Sequence, residues 1–67
     1  MNVSILFAYM EIAERTGIEP TWTGLKRFHD VVVKDFMLHC ESVGKLPSID
    51  FLISDCVRLY SLGYAVI

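Results

Sequence analysis

The apolar positions of the chain fall into three runs, and a glycine closes each of them. In the first run, Val3, Leu6, Met10 and Ala13 recur at spacings of three and four. Ile5, Tyr9 and Ile12 form a second stripe beside them. This is a helical period rather than the alternation of a strand. Polar character is confined to Ser4, Glu11, Glu14 and Arg15, and Gly17 stands where a left-handed residue would stop a helix. The pattern predicts a helix over 3–16. A helix this apolar is either central to a core or sandwiched between chains.

The second run opens with Pro20, which suits a first helical turn. Thr21 or Thr23 can cap the helix by accepting from a free backbone N–H. Gly24 is a poor helix former and lets another backbone come close. At about 100° per residue, Leu25, Phe28, Val32, Phe36, Cys40 and Val43 share one face. His29 and His39 lie within that arc or at its edge, and Trp22, Val33 and Met37 widen it. Arg27, Asp30, Lys34 and Glu41 hold the opposite face, with Val31 and Leu38 in line beside them. One packed neighbour needs an apolar stripe roughly 100° wide, and this arc covers about half the circumference. The predicted helix, 22–43, therefore needs two neighbours, and a partner chain is a natural second one. Gly44 ends it.

In the third run Ser48 is the N-cap candidate and Asp50 supplies negative charge to the first turn. Ile49, Leu52, Ile53, Cys56, Leu59 and Tyr60 share a face, with Val57 at its margin, while Phe51 and Leu62 point elsewhere. The predicted helix covers 49–62 and stops at Gly63. The tail Tyr64–Ile67 is apolar to the last residue and either packs back as coil or forms a short strand.

The expected architecture is one all-α domain, 1–67, of three helices. At 67 residues a domain buries only about 60% of its unfolded surface and is marginal alone. Yet 54% of the residues are hydrophobic, above the roughly 45–50% of ordinary domains. Oligomerisation is the simplest outlet for the surplus. The expected state is a homodimer with helix two at or near the two-fold axis. The residues expected at its interface are Trp22, Leu25, Phe28, Val31, Val32, Phe36, Leu38 and Val43, with Trp22 and Phe28 as anchors.

Charge narrows the partners. The net charge is −2, and the six basic residues are scattered rather than gathered into the patch that nucleic acid demands. The rival reading is a small helix-turn-helix regulator, with "SIDFLISDCVRLYSLGYAVI" as recognition helix and wing. The face that helix three would expose carries Asp50, Ser54, Asp55, Arg58 and Ser61, a poor phosphate binder. No stretch approaches the ~20 apolar residues of a membrane span. The N-terminus lacks the basic region and cleavage site of a signal peptide. Two cysteines, Cys40 and Cys56, are too few for a secreted disulfide scaffold and read as buried thiols in a cytoplasmic protein.

Candidate chemistry is thin. His29 and Cys40 are eleven residues apart on helix two, about 16 Å along its axis, and cannot share an ion. His39 and Cys40 diverge. Neither a zinc spacing nor a phosphate loop is present, and the carboxylates read as solvated faces with i, i+4 pairing, Asp30 with Lys34 among them. No metal, cofactor or catalytic residue is expected, and the protein is read as non-enzymatic. His29 and His39 could serve a pH-sensitive seam, though satisfied core-edge positions account for them.

In size, composition and texture, as in "MEIAERTGIEPTW" and "LYSLGYAVI", the chain resembles the small helical accessory proteins of lambda-like temperate bacteriophages. These are encoded in the early region between the exonuclease and excisionase genes. The resemblance implies a protein that binds host or phage partners to modulate host functions or lytic–lysogenic development. It transfers no functional residue.

Overall fold

A computed structural model describes residues 2–64 of the chain. Helix α1 spans Val3–Thr16. Helix α2 begins as Trp22–Arg27, passes through a π-helical turn at Phe28–Val32 and continues as Val33–Val43. Helix α3 spans Ile49–Ser61, one residue short of the expected end. The described residues contain no strand. The strand-or-coil question over the tail falls largely on residues 65–67, outside the described residues.

All three helices start and stop by the same chemistry. The side chains of Asn2, Thr21 and Ser48 accept from the backbone N–H of Ser4 (2.7 Å), Gly24 (2.9 Å) and Phe51 (3.1 Å). Each bond satisfies a donor that the first turn leaves without a partner. At the other ends Gly17, Gly44 and Gly63 take φ of 74°, 72° and 93°. The residue after each glycine donates back across the last turn: Ile18 to Ala13 O, Lys45 to Cys40 O and Tyr64 to Leu59 O, at 3.0, 2.9 and 3.1 Å. These are Schellman closures, which need a left-handed residue that glycine supplies without strain. The N-caps are separately testable. Ser48→Ala is expected to lower stability by about 1 kcal/mol, read as a shift in urea midpoint at unchanged slope.

The π turn explains how α2 meets the core. Phe28 and Phe36 are eight residues apart, which on an uninterrupted α-helix would set them about 80° out of phase. In the π turn the N–H of Val33 reaches back five residues to Phe28 O. The extra residue takes up about 100° and brings the two rings within about 20° of alignment. Leu25 and Phe28 before the turn, and Phe36 and Cys40 after it, are all buried. Val43, the last residue of the helix, is exposed although it stays within about 20° of Phe36 on the wheel. The expectation that Val43 shares the buried arc therefore fails, because the helix runs past its neighbours at this end and residues 41–48 are exposed throughout.

The core is completed by Ala8, Tyr9, Ile12 and Ala13 of α1 and by Leu52, Ile53 and Cys56 of α3. Helix α1 packs chiefly on α3, so the first and last helices enclose the chain's centre together with α2. Of the two stripes on α1, the Ile5–Tyr9–Ile12 stripe faces inward. Val3, Leu6 and Met10 of the other are exposed. Phe51, expected to point away, is half-buried: its ring meets Phe36 edge-on at 5.1 Å, and Lys45 Nζ lies 5.1 Å above its face. Tyr9 ties α1 to α2 twice. Its ring packs on Phe28 with centroids 5.5 Å apart, and its hydroxyl accepts from Thr21 N–H at 3.1 Å.

Candidate interaction surface

The eight residues expected at an interface divide sharply. Leu25, Phe28 and Phe36 are buried within the single chain, and Val32 is half-buried against the same core. Their apolar area is already removed from water. Trp22, Val31, Leu38 and Val43 are exposed, with Trp22 at 84% of its full accessibility. The structure does not gather these four into one patch. Trp22 stands at the start of α2, Val31 lines a groove with Phe36 and Leu59, and Leu38 and Val43 lie further along.

A more continuous surface lies on α1, and the residues expected on helix two do not include it. Val3, Leu6, Phe7 and Met10 fall within about 100° of one another around the helix axis, directly opposite the buried Ala8, Tyr9 and Ile12. All four are exposed. The signal was available in the sequence: α1 has two apolar stripes, with Ser4 the one polar residue before Glu11, so a helix packed on one side had to leave one stripe outside.

Beside this stripe runs a groove of about 220 Å³, lined by Leu6, Tyr9, Met10, Pro20, Thr21, Trp22 and Leu25. The α1–α2 connection shapes it. The Tyr9 hydroxyl holds the Thr21 N–H, Thr21 caps α2, and Trp22 follows as the first helical residue. The indole is thereby placed as the outer wall across from Leu6 and Met10. An apolar cavity of about 150 Å³ holds a benzene ring, so the groove has room for a partner's aromatic or aliphatic side chain.

The polar groups on the surface are engaged locally. Arg15 pairs with Glu11, Lys26 with Asp30, and Arg58 with Asp55, at 3.1, 2.8 and 2.8 Å. Asp30 thus pairs backward with Lys26, not forward with Lys34. His29 Nδ1 lies 2.9 Å from Asp30 as well. Hydrogen bonds first from Lys26 and then from His29 hold the Asp30 carboxyl below its ordinary range, and Asp30 in turn raises Lys26. Both histidines are exposed rather than at a core edge. Arg58, the basic residue of α3, pairs with Asp55.

Cys40 and Cys56 are free, buried thiols. Burial, with a smaller push from the Asp55 charge, raises the Cys56 thiol to about 11. The folded chain therefore favours the protonated thiol more than the unfolded chain does. This contribution is complete below about pH 9 and is lost as pH climbs from 9 toward 11. Melting temperature should fall more steeply between about pH 9 and 11 in the wild type than in Cys56→Ala, and equal slopes would contradict the assignment.

Among the described residues no three His, Cys, Asp or Glu side chains gather into a metal-binding group, and no helix is long and apolar enough to cross a membrane. No buried side-chain polar atom there lacks a hydrogen-bond partner. The chain matches no protein-family model, no curated protein and no solved structure.

Proposed function

We propose that the protein is a non-enzymatic interaction module. It works as a helical homodimer that binds a further protein, as an accessory regulator of the temperate-phage type acting in the bacterial cytoplasm. One observation carries the reading. Thirteen large apolar side chains are exposed among the described residues. The buried apolar residues number eleven, and without the small Ala8, Ala13, Cys40 and Cys56 they leave seven large ones. Single exposed hydrophobes are ordinary, but contiguous ones mark surfaces made to be covered. The stripe on α1 is contiguous with the groove beside Trp22 through Leu6 and Met10. Trp is also among the residues most enriched at energetically dominant contact points.

Association with a second copy couples folding to concentration. For two such chains unfolding together, melting temperature should rise by about 5 °C per tenfold increase in protein concentration. A melting temperature constant across a roughly hundredfold range of micromolar concentration would contradict the homodimer.

A further inference from the structure

We infer that the outer face of α1 is the self-association seam, and that it meets the same face of a second copy in antiparallel orientation. The inference rests on the homodimer proposed above and supplies its geometry.

The stripe is self-complementary about a two-fold axis between Leu6 and Phe7. An antiparallel partner centred on that axis sets Val3 against Met10 and Leu6 against Phe7, and then the same pairs again in reverse. An isologous contact requires this property, since one patch must fit itself. The steps of three and four residues that connect Val3, Leu6, Phe7 and Met10 are those of a packed helix–helix seam. Phe7 of the second copy then lies opposite Leu6, at the groove that Trp22 walls.

Charge supports the antiparallel sense. Glu14 follows Met10 by four residues on the same outer face and is exposed. Its carboxylate makes no hydrogen bond or ion pair with the described residues. In the antiparallel arrangement Glu14 projects past the start of the partner's α1. That first turn contains no acidic residue, and its cap is the neutral Asn2. A carboxylate there faces the positive end of a helix dipole. In a parallel arrangement Glu14 would face its own counterpart, and the two charges would repel.

Cross-linking of introduced cysteines under mild oxidation tests the geometry, because a disulfide requires Cα atoms within about 7 Å; the wild type, whose Cys40 and Cys56 are buried, is the control and should not cross-link. Phe7→Cys sits beside the proposed axis and should form a covalent dimer. Val3→Cys should not, since its own counterpart lies about 10 Å away along the axis, whereas Val3→Cys combined with Met10→Cys should link. Ready cross-linking of Val3→Cys alone would overturn the antiparallel sense. In parallel, sedimentation equilibrium of Phe7→Glu should show a single chain with unchanged helical content. A Phe7→Glu protein that still dimerises like the wild type would overturn the α1 seam and leave the homodimer standing. A monomeric wild type would remove both. Glu14→Gln should weaken the dimer about two- to five-fold at low salt and less at high salt; an affinity unchanged by Glu14→Gln would remove the electrostatic argument.

Discussion

Phe28→Ala is expected to abolish cooperative folding at room temperature. Phe28 has no exposed area, it is the largest of the fully buried side chains, and it packs on Tyr9 across the α1–α2 junction. Truncating a buried Phe removes its transfer free energy and leaves a cavity, at a cost of about 3–5 kcal/mol. Natural domains hold roughly 0.05–0.15 kcal/mol per residue, which for a chain this short is a total of about 3–10 kcal/mol. The loss therefore removes most of the stability or all of it. Circular dichroism in urea should show a broad, low-midpoint transition or none. Leu46→Ala, at a residue 91% exposed, should stay within about 0.5 kcal/mol of the wild type. A well-folded Phe28→Ala protein would mean that the core does not close around this ring.

Gly24→Ala is expected to destabilise the protein by about 1–3 kcal/mol, even though alanine is the better helix former by about 1 kcal/mol. Gly24 has ordinary helical backbone, so conformational freedom is not the reason. A Cβ at this position would run into the Tyr9 hydroxyl and crowd Thr21 Oγ1. That hydroxyl is fixed by the Thr21 N–H, and its ring is wedged beside Phe28, so it cannot simply move aside. The pair should be strongly non-additive. Tyr9→Phe alone gives up one hydrogen bond, about 1 kcal/mol, but it also removes the atom that a methyl group on Gly24 would strike. The double variant Tyr9→Phe with Gly24→Ala should be about as stable as Tyr9→Phe alone, or more so. Simple additivity of the two losses in chemical denaturation would show that the clash is not the cause.

Much of the fold was legible because its signals are local. Helix ends are set by caps and glycines within a few residues, so the stops at Gly17 and Gly44 and the starts at Thr21 and Ser48 read directly from the sequence, while the Asn2 cap of α1 was not picked out. The face of α1 that turns inward was less legible, since both of its stripes have helical period. The choice between them depends on α3, with which Ile12 and Ala8 pack in the shared core. The phase of α2 was illegible for a different reason. A π turn inserts one residue without any signature in the sequence, and every position after Phe28 is rotated relative to a regular wheel. Val43 came off the buried face for another reason, since it closes the helix within a run, 41–48, that is exposed throughout. Leu25, Phe28 and Phe36 proved to be intrachain core rather than free surface because the other two helices suffice to cover them. Gly24 does mark a close approach, but what approaches is the side chain of Tyr9 and not a backbone. The paired bases and acids followed i, i+3 and i, i+4 spacing. Asp30 took Lys26 and not the equally spaced Lys34, a choice that spacing alone does not make.

The apolar surface that the three helices leave uncovered is the foundation of the functional reading, and molecular mass in solution addresses it directly. Sedimentation equilibrium across roughly 1–100 µM, a span that brackets micromolar affinities, should return twice the 7.6 kDa of the chain at the upper end, with dissociation on dilution. A mass that stays at 7.6 kDa throughout, in a sample that is fully helical and freely soluble, would contradict the account.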